Sequence, residues 1–374
     1  MIKKDKALLI FLPSYQNNHE SYYKVLTEVV FNEKNVTLLA YSNDCNLKSN
    51  NNLRVICPKK NEGINQFTLR NIKYFIKADL IVLEELYKVS FLIPLIIVAF
   101  GSKTLLSIHN VNKWLKRDGI IKKNFVKEKV IDLIMKKISG LIVISLSLRD
   151  YIYENKLYDK KVYYVPFSDT RYIEKNDDFK SKKEITFTIP GTVNTERRDY
   201  ISFLKATLLL IEKNGNDQNI RLVLLGKKVK TGLEENELID KINKIKENTV
   251  KFWENYIDTK TFENEILNSN YLIGNININY EENLIKEIYG QSKETGALFL
   301  MLKYRTLTLF PKEYKSNALY DCFMIKYKNS PVGIYNTMKE IIANKFEIEN
   351  QKSNFQKHDK IVDTEIELLN NTFK

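Results

Sequence analysis

The sequence is poor in three residue types that often carry a functional signature. It has 12 glycines in 374 residues, well below the usual level of roughly 7%, which excludes collagen-like and glycine-rich low-complexity chains. Its three cysteines lack the CxxC spacing of metal or redox motifs and are too few for a disulfide scaffold. The three histidines are equally scattered, so the sequence alone predicts no zinc site. These six residues are Cys45, Cys57, Cys322, His19, His109 and His358.

Long apolar runs are also missing. The longest, Val89–Phe100, contains Pro94 and is far shorter than the roughly 20 residues that span a bilayer. The N-terminal run Ala7–Leu12 stops at Pro13 and is too short for the core of a signal peptide. We therefore expect a cytoplasmic protein, with peripheral attachment to the inner face of the cell membrane as an open alternative.

The composition is that of a globular protein with more basic than acidic residues. Hydrophobic residues make up 44% of the chain, and 59 Lys and Arg against 46 Asp and Glu give a formal net charge of +13. The length predicts two domains. The charge raises the question of nucleic acid binding, but the lysines are spread along the chain and no helix-turn-helix, zinc-finger or RNP signature accompanies them. We therefore expect no nucleic acid partner.

Short apolar strands alternate with helical segments in two series, a pattern typical of parallel sheets covered by helices on both faces. The polar stretch Ser168–Glu184 separates the two series and is the best candidate linker. The predicted fold class is α/β, with two tandem Rossmann-like, doubly wound domains that face each other across a cleft. The predicted domains are an N-terminal domain at 1–168, a C-terminal domain at 184–345, and a C-terminal helix within 346–374 that packs back toward the first domain.

Two polar segments directly follow predicted strands, where parallel sheets bind ligands. His109 and Asn110 come after the strand Thr104–Ile108 and could donate hydrogen bonds or carry a proton near neutral pH. The segment Gly191–Tyr200 combines a glycine turn with paired arginines, Arg197 and Arg198, at the opening of a helix. Guanidinium groups beside a helix N-terminus bind anions. A loop histidine and a surface arginine pair are the structural alternatives.

A third segment, Glu287–Gly296, places a loop glycine before a helix predicted over Ser292–Tyr304. The backbone N–H groups of Gly290 and Ser292, with the charge of Lys293, could bind a diphosphate. Glu287 could accept hydrogen bonds from sugar hydroxyls. The alternative is that Ser292 only caps the helix.

These segments, in this order, resemble the GT-B glycosyltransferases, most closely the retaining family 4. Gly140–Ser147 followed by Tyr163–Phe167 is similar to that family's VIS-S…VIPNG passage, and Glu287–Gly296 to its E-x7-E region. The resemblance implies that His109 contacts the donor sugar, that Arg198 or Arg197 binds phosphate, and that Glu287 holds the hexose. It implies the catalytic set His109, Arg198, Lys293 and Glu287, and the donor-binding set Gly191, Thr192, Arg197, Tyr289, Gly290, Gln291, Ser292, Glu294 and Thr295.

The sequence departs from the family pattern at three places. Thr192 stands where the family usually has Arg, and the second Glu of E-x7-E falls on Thr295, with Glu294 one position early. The first strand–helix turn, Pro13–His19, lacks the family's glycines. These departures keep open an inverting GT-B enzyme and a non-catalytic subunit that supports a partner transferase.

Sugar transfer from a nucleotide-diphosphate sugar needs positive charge at the departing diphosphate. Arg198, Arg197 and Lys293 would supply it; no Asp-x-Asp occurs, so we expect no metal and no cofactor. A glycan or lipid-linked acceptor would bind Ser14, Tyr15, Asn110 and Trp114, and the basic stretch 112–129 suits an anionic membrane surface. If the enzyme inverts, Glu84 or Glu85 could act as base, against a plain loop role. A place in bacterial surface polysaccharide or glycoconjugate synthesis is expected.

Overall fold

A computed structural model describes residues 7–13, 19–32, 34–42, 48–85, 92–116, 125–170, 184–195, 198–214, 219–230, 232–282, 284–344 and 352–372. The chain divides into two compact units. Unit 1 comprises Met1–Asp169, Glu281–Glu287 and Lys360–Lys374, and unit 2 comprises Thr170–Tyr280 and Ile288–Asp359. Among the described residues, no helix has the length and hydropathy to cross a bilayer.

Unit 1 contains a parallel sheet whose described strands run in the order β3-β2-β1-β4-β5-β6-β7. Strands β4, β5 and β6 are buried along their whole length, as expected for a sheet covered on both faces. The strands are β1 Ala7–Leu12, β2 Asn35–Ala40, β3 Leu53–Ile56, β4 Leu80–Leu83, β5 Thr104–Ile108, β6 Gly140–Val143 and β7 Lys161–Tyr164.

The helices of unit 1 follow their strands, as predicted from the alternation of apolar segments. The first continues without a break into a π-type helix at Val25–Val30, and a second π-type turn covers Asn112–Lys116. A 3-10 turn at Gly101–Lys103 precedes β5. The α-helices are α1 Glu20–Lys24, α2 Ile64–Arg70, α3 Ile72–Lys77, α4 Leu92–Phe100, α5 Phe125–Lys137 and α6 Leu146–Glu154.

Unit 2 contains a second parallel sheet, with the described strands in the order β11-β10-β8-β12-β15-β16 and β9 paired to β10. Its strands are β8 Glu184–Pro190, β9 Val193–Asn194, β10 Asn219–Lys230, β11 Val250–Trp253, β12 Tyr271–Ile273, β15 Thr308–Pro311 and β16 Met324–Tyr327. A short pair, β13 Asn279–Glu282 and β14 Ile285–Ile288, lies outside both large sheets. Its helices are α7 Tyr200–Asn214, α8 Leu233–Ile245, α9 Thr259–Leu267, α10 Gly296–Tyr304, α11 Ala318–Asp321 and α12 Pro331–Asn344. The last described helix, α13 Lys352–Thr372, begins in unit 2 and ends in unit 1.

The α/β fold class with parallel sheets is confirmed, while two details differ from the expectations. The helix predicted from Ser292 begins at Gly296. The segment Glu281–Glu287, predicted to belong to the second domain, clusters with unit 1. The C-terminal residues from Lys360 also cluster with unit 1, and Arg149 of α6 forms an ion pair of 2.6 Å with Glu365 of α13 there.

Two glycines allow the chain to pass closely at the carboxyl end of β8. Gly191 has a φ of +95°, a conformation that residues with a side chain rarely adopt. Its N–H donates to the carbonyl of Leu225 at 2.8 Å. A Cβ on Gly226 would overlap the backbone carbonyl of Gly191, so both turns require glycine in order to pack together.

We predict that Gly226→Ala lowers the free energy of unfolding by about 2 kcal/mol, because an added methyl must displace backbone rather than a side chain. Thermal denaturation followed by circular dichroism measures the loss. Gly296→Ala is the matched control, since a Cβ there meets nothing within 4 Å. Equal melting temperatures for Gly226→Ala and the wild type would contradict the prediction.

Candidate active site

In unit 1, the order of the strands reverses between β1 and β4. The chains that leave the carboxyl ends of these two strands diverge there, and open α/β sheets bind their ligands at such points. His19 follows β1 and Glu84 follows β4. The Nδ1 atom of His19 lies 3.2 Å from Oε1 of Glu84, and the hydroxyl of Tyr23 donates to the same oxygen at 3.1 Å. The sheet therefore brings an imidazole and a buried carboxylate together across 65 residues of sequence.

His109 joins this pair from the next strand, β5. Its ring centroid is 5.1 Å from that of His19. Three aromatic rings surround the two histidines; Phe167 meets His19 edge-on at 5.4 Å and stacks on Tyr22 at 5.9 Å, while Tyr22 contacts His109 at 5.5 Å. We call Tyr22, Tyr23 and Phe167 the aromatic wall. It fixes both imidazoles in a largely apolar setting.

Burial dominates the electrostatics of this cluster. Glu84 is 1% exposed, and desolvation raises the pKa of its carboxyl, while the hydrogen bond and charge of His19 and the hydrogen bond of Tyr23 oppose this shift. Burial likewise raises the pKa of the Tyr22 phenol, whose hydroxyl lies 2.7 Å from the Ser107 hydroxyl. An imidazole oriented by a carboxylate is a good proton carrier.

The same cluster corrects the expectation that the histidines are scattered too widely to share a metal. One ring nitrogen each of His19 and His109 and a carboxylate oxygen of Glu84 lie within 4.8 Å of one another. The expectation was wrong for these two histidines because β1 and β5 flank β4 in the sheet. The spacing of these residues along the chain does not indicate that their strands are neighbours in the sheet.

Two of the four residues predicted to contact the acceptor, Asn110 and Trp114, belong to a hydrogen-bonded group around Glu85. Trp114 is 3% exposed, and its indole N–H donates to Oε1 of Glu85 at 2.7 Å. The side-chain amide of Asn110 lies 3.4 Å from both Glu85 oxygens. Trp114 is therefore a buried side chain that stabilises the segment after β5 through its hydrogen bond to Glu85. Ser14 and Tyr15 lie outside the described residues.

A second carboxylate, that of Glu287, binds the backbone of the segment that follows β5. Its Oε1 accepts the backbone N–H of Lys113 at 3.0 Å, and Oε2 accepts that of Asn112 at 3.4 Å. The Asn112 side chain donates in turn to the carbonyl of Lys286 at 2.8 Å and accepts from the hydroxyl of Tyr151 at 3.1 Å. The predicted sugar-binding carboxylate thus contacts the backbone of the His109–Trp114 segment and positions it.

In unit 2, the strand order reverses between β8 and β12, and the turn after β8 carries Arg198. Its Nη1 donates to the carbonyl of Pro190 at 2.5 Å and lies 3.4 Å from the hydroxyl of Tyr200. A Cβ on Gly191 would lie only 2.8 Å from Nη2 of Arg198. The glycine therefore lets the guanidinium lie against the turn. Arg197 lies outside the described residues.

The start of α7 completes this corner of unit 2. A carboxylate oxygen of Asp199 accepts the N–H of Ser202 at 2.9 Å, and the N–H of Asp199 donates to the side chain of Asn275, which follows β12, at 3.1 Å. The hydroxyl of Tyr200 donates to the carbonyl of Thr192 at 3.3 Å. Arg198 and Gly191 were expected at this corner from the sequence, whereas Asn275 was not, because its only signal was its place just after a buried strand.

The prediction that the backbone N–H groups of Gly290 and Ser292 bind an anion is wrong, because these groups donate to carbonyls of the same turn. The N–H of Gly290 donates to the carbonyl of Lys293, and the N–H groups of Gln291, Ser292 and Lys293 all donate to the carbonyl of Ile288, at 2.8–3.2 Å. The Ser292 hydroxyl accepts from the N–H of Ile288 at 2.9 Å. These bonds close a tight turn instead of opening a helix, so the N–H groups are used inside the turn.

The helix begins four residues later, where Thr295 caps it by accepting the N–H of Ala297 at 3.4 Å. Two other predicted donor-site residues have partners within unit 2. Oε2 of Glu294 accepts the hydroxyl of Tyr314 at 2.6 Å, and Lys293 Nζ lies 5.0 Å from the ring centroid of Tyr280 and 6.0 Å from that of Tyr289. Burial, reinforced by Glu294, raises the pKa of Tyr314 well above its ordinary value.

Comparison with known proteins gives a structural relationship and no sequence relationship. No family model matches the chain, and no curated protein matches its sequence. A Candida albicans structure described as the trehalose-6-phosphate phosphatase N-terminal domain matches 100% of this chain and 97% of its own, with a TM-score of 0.59 and 11% identity. Anabaena HepE in complex with UDP and glucose matches 99% of both chains, with a TM-score of 0.57 and 12% identity.

A third match is an Escherichia coli structure described as trehalose-6-phosphate bound with UDP-2-fluoro glucose. It covers 98% of both chains, with a TM-score of 0.56 and 9% identity. At such low identity the likeness establishes the fold alone. The chain has the GT-B fold found in nucleotide-sugar glycosyltransferases.

We predict that Glu287→Ala increases amide hydrogen exchange at Asn112 and Lys113 at least about fivefold, because loss of an acceptor for buried donors costs about 1–3 kcal/mol. Hydrogen–deuterium exchange with peptide mass spectrometry measures this. Glu281→Ala, an exposed glutamate on the same short segment, is the control and leaves the exchange unchanged. Unaltered protection in Glu287→Ala would contradict the positioning role.

Proposed function

We propose that the protein is a glycosyltransferase that moves a hexose-type sugar from a nucleotide-diphosphate donor to a glycan or lipid-linked acceptor. The observation that carries this proposal is the Arg198 guanidinium held against the Gly191 turn at the start of α7. Its two described hydrogen bonds both use Nη1, whereas a guanidinium has five N–H donors. The whole-chain likeness to structures holding UDP or a UDP-sugar supports the same class of donor.

The chemistry requires stabilisation of a departing diphosphate. Arg198 offers a fixed charge, and the N-terminus of α7 adds the partial positive charge of a helix start. Lys293 is the second cation of the predicted set. Such preorganised charge can lower the barrier by several kcal/mol, so the proposal needs no metal ion at the diphosphate, in line with the lack of an Asp-x-Asp pair.

We propose transfer with retention of the anomeric configuration, with His109 contacting the donor sugar, as the resemblance to family 4 implies. A second candidate is an inverting transferase. The His19–Glu84 pair favours it, because a carboxylate-oriented imidazole at the edge of the first sheet could deprotonate an acceptor hydroxyl. The third candidate, a non-catalytic subunit, is favoured by Thr192 and Thr295 at positions where the family has other residues.

The acceptor side belongs to unit 1 in this proposal. The apolar side chains of Ile76 on α3 and Leu95 on α4 are 60% and 58% exposed, and lysines are frequent along the same unit. Exposed apolar groups among cations suit the surface of an anionic membrane. We therefore propose a peripheral, cytoplasmic enzyme of bacterial surface polysaccharide or glycoconjugate synthesis.

We predict that Arg198→Ala lowers kcat/KM for transfer at least about tenfold, which corresponds to about 1.4 kcal/mol of transition-state stabilisation. Glu287→Ala has an effect of the same size, because it releases the segment after His109. The assay follows release of the nucleoside diphosphate, with the donor first identified by a thermal-shift screen of nucleotide diphosphates and their sugars.

Lys205→Ala on α7 is the matched control, since it removes a positive charge from an exposed ion pair with Glu234 of α8 and leaves transfer unchanged. Wild-type rates in both Arg198→Ala and Glu287→Ala would refute the assigned roles. A protein that binds none of the nucleotide sugars in the screen would instead be the non-catalytic subunit.

The stereochemical outcome separates the two enzymatic candidates. We predict that proton NMR of the product shows the anomeric configuration of the donor, and that His19→Ala lowers kcat by less than about tenfold, because a retaining transfer of this kind has no obligatory side-chain base. An inverted product, together with a loss of at least about a hundredfold in both His19→Ala and Glu84→Gln, would establish the second candidate.

A further inference from the structure

We propose that His19, Glu84 and His109 form a binding site for a divalent transition-metal ion of the zinc type. The site lies wholly in unit 1, where β1, β4 and β5 end side by side. Two imidazoles and one carboxylate are the donor set that leaves a zinc ion one open position for water or a substrate oxygen. The inference concerns the chain's own residues and goes beyond the transfer reaction.

The distances between the three ligand atoms suit such an ion once these atoms move slightly closer together. The three ligand atoms lie within 4.8 Å of one another, and Nδ1 of His19 is 3.2 Å from Oε1 of Glu84. A point equidistant from three such atoms is at most about 2.8 Å from each, against about 2.0–2.2 Å for zinc–nitrogen and zinc–oxygen bonds. Rotation of the imidazole rings by less than about 1 Å at the nitrogen atoms closes this gap.

A second observation points to the same place. Oε2 of Glu84 is buried and, among the described residues, has no hydrogen-bond partner. A buried carboxylate oxygen that is left without a partner costs free energy. A cation bound by this carboxylate would compensate its charge, and Oε2 could coordinate the ion as well as Oε1.

The surroundings match those of bound transition metals. The Tyr23 hydroxyl donates to Oε1 of Glu84, and hydrogen bonds of this kind orient ligating carboxylates. Tyr22 and Phe167 wall off the ligands with aromatic rings. Imidazole ligands select zinc, cobalt, copper or nickel, whereas magnesium and calcium prefer sites built from oxygen atoms.

One consequence rests on the proposed function. If His109 contacts the donor sugar, an ion that occupies its ring nitrogen competes with that contact. Zinc at micromolar concentration then inhibits transfer, and a chelator restores it. The site would make the enzyme responsive to metal without making metal a part of the transfer chemistry.

The test uses the full-length protein, freed of metal by a chelator, and requires no donor or acceptor. Isothermal titration with Zn²⁺ is expected to show one site per chain, and Co²⁺ is expected to develop the absorption bands of a tetrahedral or five-coordinate ion. His19→Ala, His109→Ala and Glu84→Gln each weaken binding at least about tenfold. Tyr23→Phe keeps all three ligands and weakens binding about 10–100-fold through the carboxylate, which covers the case in which a ligand variant fails to fold.

Cys57→Ser is the matched control for adventitious thiol binding, because Cys57 is a partly exposed free cysteine, and it leaves the titration unchanged. Absence of saturable Zn²⁺ binding, or equal binding in the wild type and all four site variants, overturns the proposal. Because binding is measured without substrates, saturable binding in a protein without transferase activity supports the metal site and refutes only the proposed function.

Discussion

The carboxyl ends of parallel strands meet at one edge of a sheet, and in both units of this protein the strand order reverses at that edge beside the first strand of the unit. This constraint brings His19 to Glu84 in unit 1 and the Arg198 turn to Asn275 in unit 2. The strand interiors are mostly apolar, although Ser107 in β5 and Thr188 in β8 are buried polar residues, and the polar side chains of both groups follow the strand ends. The chemistry of each unit is therefore decided by which strands are neighbours.

Three buried carboxylates fix the positions of the groups that lie near the strand ends of unit 1. Glu84, Glu85 and Glu287 are all at most 4% exposed, and each accepts hydrogen bonds from residues far away in the sequence. Glu85 takes the indole of Trp114, and Glu287 takes two backbone N–H groups of the same segment. Burying a charge without partners is costly, so each carboxylate holds its donors in place. The His109–Trp114 segment is thus held by glutamates from two distant parts of the chain.

Local sequence signals were most informative where one short segment decides the structure. Alternating apolar strands and helices predicted the α/β class, and a glycine between β8 and two arginines predicted a turn at the opening of a helix. The contact of Arg198 with the carbonyl of Pro190 appeared only in the structure. The helix start predicted at Ser292 was wrong, because a serine before an apolar stripe is compatible both with a helix cap and with a tight turn. The carbonyl of Ile288, which accepts three N–H groups, selects the turn and delays the helix to Gly296.

The sequence by itself determined the two α/β units, the polar residues at the ends of their strands, and the position of the Gly191–Arg198 turn, because each depends on a run of neighbouring residues. Only the tertiary structure decided that His19 and His109 share one cluster with Glu84, and that Glu287 contacts the backbone at Asn112. The His19–Glu84 pair joins residues 65 positions apart, and the Asn112–Glu287 pair joins residues 175 positions apart. Their physical origin is the order of strands in the sheet, which no local pattern of residues encodes.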